Sequence, residues 1–253
     1  MAATIITRIG LGASLFMALA LTGCTHEGFG TQALHYATFS VPPPRGATIH
    51  VCHAYGCQMK TKFTFTEQDL GELRALMDST RSGQPDSPEQ ERRAVAYAIG
   101  WMETRVGNAI GTKDDRAGMD FAGSGDPTQQ DCVDEATNTT SYLNVLATAG
   151  LIRFHDVSFP FAKENYLRGV AGWTHWTAVL VERQFAGIAA TSAKVTMASL
   201  KPAPDAAWLV PPAKGGQRWA VDSWIYANGE NPAIVKAEEW YIADLDSLPA
   251  PKK

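Results

Sequence analysis

Cys132 stands in T-Q-Q-D-C-V-D-E-A, directly after an aspartate of the kind that caps helices. With Asp131 as the N-cap, Cys132 falls in the first helical turn and Asp134 at its third position. Oriented N–H groups at a helix start favour an anion, so this placement predicts a thiol pKa below its ordinary value and a nucleophilic thiolate. A thiolate that attacks a carbonyl works best beside an imidazole that holds the proton and returns it to the leaving group. His175, in G-W-T-H-W-T-A-V-L-V-E, is the candidate, because it opens an apolar strand where Val or Ile is the expected residue. The imidazole in turn needs an acceptor that fixes its tautomer. Asp222 offers one, since an acid inside the apolar run W-A-V-D-S-W-I is costly unless it is paired.

Other residues compete for these roles. His26 and His35 lie in an unpatterned N-terminal stretch, His50 and His53 sit beside a cysteine pair, and His155 follows a helix and loop as the main rival base. The 47 residues from His175 to Asp222 exceed a short hairpin. If residues 186–216 form strands of their own rather than an inserted loop, Asn228, Glu230 or Glu182 compete for the third role. Parity favours Asp222: Thr177, Val179 and Val181 share a face with His175, and Ala220 and Trp224 share one with Asp222. Trp173 and Trp224 fall on those same faces, where they wall a cleft or simply fill core. Asp131 and Asp134 read as helix-start acids rather than catalysts.

A nucleophile at a helix start, a histidine on one strand and an aspartate on the next is the chain order of transglutaminase-like enzymes. The segments D-C-V-D-E, H-W-T-A-V-L-V and W-A-V-D-S-W resemble their bacterial cysteine-peptidase branch, over about the last half of the chain. The resemblance implies an α+β fold of transglutaminase-like or papain-like type, with helices packed on an antiparallel sheet. It implies Cys132 as nucleophile, His175 as general base and acid, and Asp222 as the orienting group, with no metal or organic cofactor. By analogy with papain-like enzymes, Gln130 or its neighbour Gln129 could donate an amide N–H to a developing oxyanion beside the backbone N–H of Cys132. As plain loop residues the two glutamines need no such role. Water resolving the thioester gives a peptidase, amidase or deamidase, and an amine gives a transglutaminase. Two alternatives stand: a papain-like cell-wall amidase of another family with a different third residue, and a catalytically silent envelope scaffold or binding module with Cys132 merely buried.

These side chains need elements to hold them. From Asp131, the spacing of Ala136, Thr139, Leu143, Leu146 and Ala147 predicts a helix packed on one side, stopped near Gly150. H-W-T-A-V-L-V-E and R-W-A-V-D-S-W-I-Y predict antiparallel neighbouring strands. Upstream, T-I-H-V-C is a short strand, and T-F-T-E-Q-D-L opens a peripheral helix capped by Thr66, with Leu70, Leu73, Leu76 and Met77 on one side. S-P-E-Q predicts a second helix with Ser87 as cap, Pro88 at its first position and Gln90 closing a capping box. Its core positions are Ala94, Val95, Ala98, Ile99, Met102 and Val106, up to Gly107. The Gly- and Asp-rich stretch that follows reads as a long surface loop leading to Cys132.

The chain as a whole sets the compartment. Arg8 precedes a short apolar run ending in L-T-G-C, which reads as an export signal over 1–23 and resembles a bacterial lipobox with Cys24 as the lipidated residue. Thr25 after that cysteine points to the outer membrane, on the periplasmic side of the cell envelope. Residues 24–47, Gly-rich and ending in V-P-P-P-R-G, read as a tether, and 48–253 as a single catalytic domain. Of the four cysteines, Cys52 and Cys57 are close enough to bridge across a turn; the metal alternative, with His53, lacks a second pair of zinc-site spacing. Cys132 is left alone, either inert or kept for its chemistry. A net charge of -4 and a pI of about 5.9 give no broad cationic field and argue against a nucleic-acid partner. The expected partner is instead a peptide or cell-wall amide substrate, with membrane contact only through the lipid.

Overall fold

The computed structural model describes residues 30–118, 120–163, 174–184, 216–244 and 248. The expectations for the signal at 1–23, for Cys24, for Trp173 and for nearly all of the inserted segment 186–216 lie outside these residues. The architecture is α+β with antiparallel sheets. Strands β1 (Thr48–His53) and β2 (Met59–Thr64) form a hairpin with Val51 opposite Thr61. The main sheet runs β3 (His155–Val157), β5 (His175–Glu182), β6 (Arg218–Asp222), β7 (Ala233–Lys236), and β4 (Phe161–Lys163) pairs with the first half of β5.

Three longer helices follow the sequence signals. In α2 (Glu67–Arg81), Thr66 accepts from the Asp69 N–H and the Asp69 side chain returns the bond to Thr66, while Leu73 and Met77 are buried. In α3 (Pro88–Ile110), Ser87 accepts from the Gln90 N–H. The expected return bond from Gln90 is not made, and its buried Oε1 has no partner among the described residues. The helix runs past Gly107 to a left-handed Gly111 cap at φ 95°. Gly100 and Gly107 are where the loop after β6 lies on α3. A Cβ on Gly100 would meet the Asn231 Oδ1 at 2.8 Å, and one on Gly107 would meet the Asn228 Oδ1 at 2.6 Å.

Helix α4 (Cys132–Thr148) occupies the centre, packed on β1 and β5. The expected one-sided helix is instead buried all round, from Thr137 through Ala147. Its polar side chains survive burial because each has a partner. Asn138 accepts from the Cys52 N–H at 2.7 Å and donates to the Cys52 carbonyl at 2.9 Å. Thr137 bonds His35 at 2.8 Å, Ser141 bonds Tyr36 at 3.0 Å and Asn144 donates to Gln32 at 2.7 Å.

Those last partners correct the tether reading for residues 32–38, while residues 24–29 lie outside the described residues. Residues 32–38 form helix α1 (Gln32–Thr38), capped by Thr31, with His35 and Tyr36 buried against α4. At seven residues the segment is too short to establish an apolar period. It is held by the hydroxyls and amides of α4 together with the packing of Tyr36 among Val41, Cys52 and Cys57. Helix α5 (Ala237–Ile242) closes the chain end over β6 and β7. Among the described residues no helix is long and apolar enough to cross a membrane.

Candidate functional site

The site is built where the start of α4 meets the ends of β5 and β6. Asp131 is the N-cap: one of its oxygens accepts from the N–H groups of Val133 and Asp134. Asp134 returns a bond to the Asp131 N–H, completing a capping box. Cys132 is therefore the first helical residue, and it is the free cysteine among the described residues.

A second structure grips the same helix end. Residues Ala54, Tyr55, Gly56 and Cys57 all have positive φ, from 56° to 70°, which is a left-handed turn that three non-glycine residues enter only when held there. The Cys52–Cys57 disulfide closes this turn. Its N–H groups point at the two capping acids: Tyr55 and Cys57 donate to Asp134 at 2.8 and 2.5 Å, and Gly56 donates to Asp131 at 2.9 Å. The bridge thus pairs the cysteines as their spacing suggested. His53 lies apart from it, bonded to the Pro127 carbonyl and to Thr61.

On the other wall, the β5–β6 register puts Val179 opposite Ala220 and Ala178 opposite Val221, so His175 and Asp222 share a face. His175 Nε2 lies 2.6 Å from the Asp222 Oδ2, with both side chains buried. Read as Nε2–H donating to the carboxylate, this bond leaves Nδ1 as the acceptor nitrogen, and Nδ1 has no partner among the described residues. The rivals are elsewhere. His155 is bonded to Glu91 at 2.9 Å, Glu182 is paired with Arg92 at 2.8 Å, and Glu230 accepts from the Ala227 N–H. Asn228 lies against α3 at Gly107.

The Cys132 sulfur lies against the backbone on either side of His175. Its thiol donates to the Thr174 carbonyl at 3.6 Å, and the Trp176 N–H faces it from the other side. The thiol proton is thus on a carbonyl rather than on Nδ1. Burial pushes the Cys132 thiol pKa up, and the Asp131 and Asp222 carboxylates push the same way. That corrects the expectation of a lowered value. The favourable helix end is real, but Cys132 is buried at 9% exposure, and the negative charge of Asp131 beside it in the chain acts against a thiolate with little water to offset it.

Gln130 corrects a second expectation. Its side chain is buried and donates to the Cys52 carbonyl at 2.9 Å, so it ties the disulfide turn to α4 instead of facing a substrate. Gln129 accepts from the Arg116 N–H and donates to the Asp114 carbonyl, bracing the loop before α4. Trp224 stands in the turn after β6 rather than in a strand, and its ring lies 4.6 Å from that of His175.

Two groups had no local signal. Trp240, fully buried on α5, donates its indole N–H to the same Asp222 oxygen at 2.7 Å. Behind the site, Glu103 of α3 and Glu135 of α4 are both buried. Glu135 accepts from the Ser223 hydroxyl at 2.7 Å and Glu103 from the Gly229 N–H at 3.1 Å. Burial pushes Glu135 up to about 8, with Asp115 adding to the shift, and burial raises Glu103 well above the ordinary carboxyl range, with Glu135 adding to it. Glu135, Thr177, Asp222, Ser223 and Trp224 line one small crevice beneath the site.

No protein-family model, curated protein or solved structure matches the chain.

Proposed function

We propose that this chain is a thiol-dependent acyl-transfer enzyme of the bacterial cell envelope, cleaving or transferring amide bonds through Cys132, His175 and Asp222 on a transglutaminase-like or papain-like core. The observation that carries the reading is the 2.6 Å His175–Asp222 bond, with Nδ1 left without a partner among the described residues, next to the Thr174 and Trp176 backbone groups that face the Cys132 sulfur.

In this mechanism the thiol leaves the Thr174 carbonyl and gives its proton to Nδ1. Because burial holds the thiol pKa high, the thiolate forms as substrate arrives rather than resting as a preformed ion pair. The sulfur attacks the amide carbon, and the backbone N–H of Cys132 is the donor for the oxyanion now that Gln130 is committed elsewhere. The C–N bond breaks as Nδ1–H protonates the leaving nitrogen, which leaves a thioester. Water, deprotonated by Nδ1, releases the acid and restores the thiol. A peptide or cell-wall amide is the substrate class that fits a lipid anchor at Cys24 on the periplasmic side.

The burial of Cys132 supports a second reading, a catalytically silent envelope module in which the thiol is core. Two measurements separate them: mass spectrometry of Cys132 after acid quench with cell-wall peptides, and iodoacetamide labelling of the folded protein across pH. The enzyme reading expects an acyl adduct on Cys132 and labelling that slows in His175→Ala. No adduct, with labelling unchanged by that substitution, would leave the silent module.

A further inference from the structure

We propose that Trp240 is a positioning residue for the His175–Asp222 pair, and this rests on the acyl-transfer reading above. A buried indole N–H is costly without an acceptor. Among the described residues, the buried Nε1 atoms of Trp219 and Trp224 have no partner, whereas Trp240 spends its N–H on a carboxylate oxygen already bonded to His175. The other oxygen, Oδ1, has no partner among the described residues. Both known bonds therefore converge on Oδ2, and without the indole only the imidazole would fix the carboxylate plane.

Trp240 is itself held from the histidine's side. Lys163 stands directly opposite His175 in the β4–β5 register. Its Nζ donates to the carbonyls of Trp240 and Ala243, both at 2.9 Å, and lies 4.3 Å from the Trp240 ring. The ring also packs edge-on against Phe161 of β4, at 5.1 Å, and lies 5.3 Å from the His175 ring. Contacts thus form a closed circuit: His175 to Asp222, to Trp240, to Lys163, and back across the strand pair to His175. Holding Oδ2 on Nε2 keeps Nδ1 as the nitrogen free to take the Cys132 proton.

The test uses Trp240→Phe, which keeps an aromatic ring and removes the N–H, with Trp219→Phe as control. In Trp240→Phe the pH-dependent rate of Cys132 alkylation by iodoacetamide should fall about tenfold, the loss of one hydrogen bond to a charged group. The far-downfield proton resonance of His175 Nε2–H should broaden or move upfield, and Trp219→Phe should change neither. A wild-type resonance and rate in Trp240→Phe overturn the proposal. Should that variant not fold, the indole N–H resonance of Trp240 decides on an otherwise native chain: it should shift in Asp222→Asn, and an unmoved resonance overturns the proposal. Failure of the acyl-transfer reading looks different, because alkylation would then be indifferent to His175→Ala while the two resonances still report on the circuit.

Discussion

The two walls of the site are held in different ways. The start of α4 is fixed locally and many times over: Asp131 and Asp134 accept from five N–H groups besides the capping-box return, and a disulfide closes the turn that supplies three of them. The imidazole wall has one bond from each partner, gathered from β5, β6 and α5, with Asp222 and Trp240 18 residues apart. The proposed nucleophile, Cys132, is therefore placed by rigidity. The proposed proton carrier, His175, is placed by a chain of single contacts, each of which should be felt when it is cut.

Cutting the imidazole wall should act on chemistry more than on folding. Asp222→Asn is expected to lower the rate of acyl transfer by about 10² to 10⁴, measured as thioester formation on Cys132, with a small change in thermal midpoint. Cutting the nucleophile wall should do the reverse. Asp134→Asn sets an amide N–H against a backbone N–H whichever way it is flipped, and should cost about 2 to 3 kcal/mol in denaturant unfolding. Opening the bridge with the Cys52→Ser, Cys57→Ser pair frees a short ring and should cost about 2 kcal/mol on the chain-entropy argument, read as a lower thermal midpoint. If the bridge variant instead lost acyl transfer while keeping its stability, the contrast between the walls would collapse.

Smaller effects sharpen the comparison. Burial raises Glu135 to about 8 and lifts Glu103 well above the ordinary carboxyl value of 4.5, so above that value the folded chain holds protons more tightly than the unfolded chain. Stability should fall as pH rises from there to about 8, where Glu135 itself titrates. The slope is at most about 1.4 kcal/mol per pH unit for each carboxyl. Glu135→Gln should flatten its share in urea titrations run at several pH values. Gln130→Ala, which removes a bond to the Cys52 carbonyl, should cost about 1 kcal/mol of stability and leave acyl transfer near wild type. A large loss of rate there would restore Gln130 as an oxyanion donor.

What the sequence made legible follows the same division. Caps are local, so Thr66, Ser87 and Asp131 could each be placed from a few neighbouring residues, and alternation put His175 and Asp222 on one face. Helix α1 was not legible, because seven residues are too few to establish an apolar period and its hydroxyl and amide bonds to α4 leave none. Trp240 carries no local signal in the sequence, since its meaning depends on a carboxylate from another element. The direction of the thiol's shift is not legible in the sequence, because burial, its largest cause, and the nearby carboxylates outweigh the helix end. Asp131 was read correctly as a cap, and its electrostatic cost to the neighbouring sulfur needs the burial that only the fold supplies.

The paired carboxyls behind the site also alter how the molecule presents itself to its surroundings. The formal net charge of -4 counts every acid as ionised. Burial raises Glu135 to about 8 and lifts Glu103 well above the ordinary carboxyl range, so near neutral pH the folded chain is expected to carry less negative charge at these two positions than that count gives them. Unfolding at neutral pH therefore releases acid into the medium, so a weakly buffered solution would register the transition as a drop in pH.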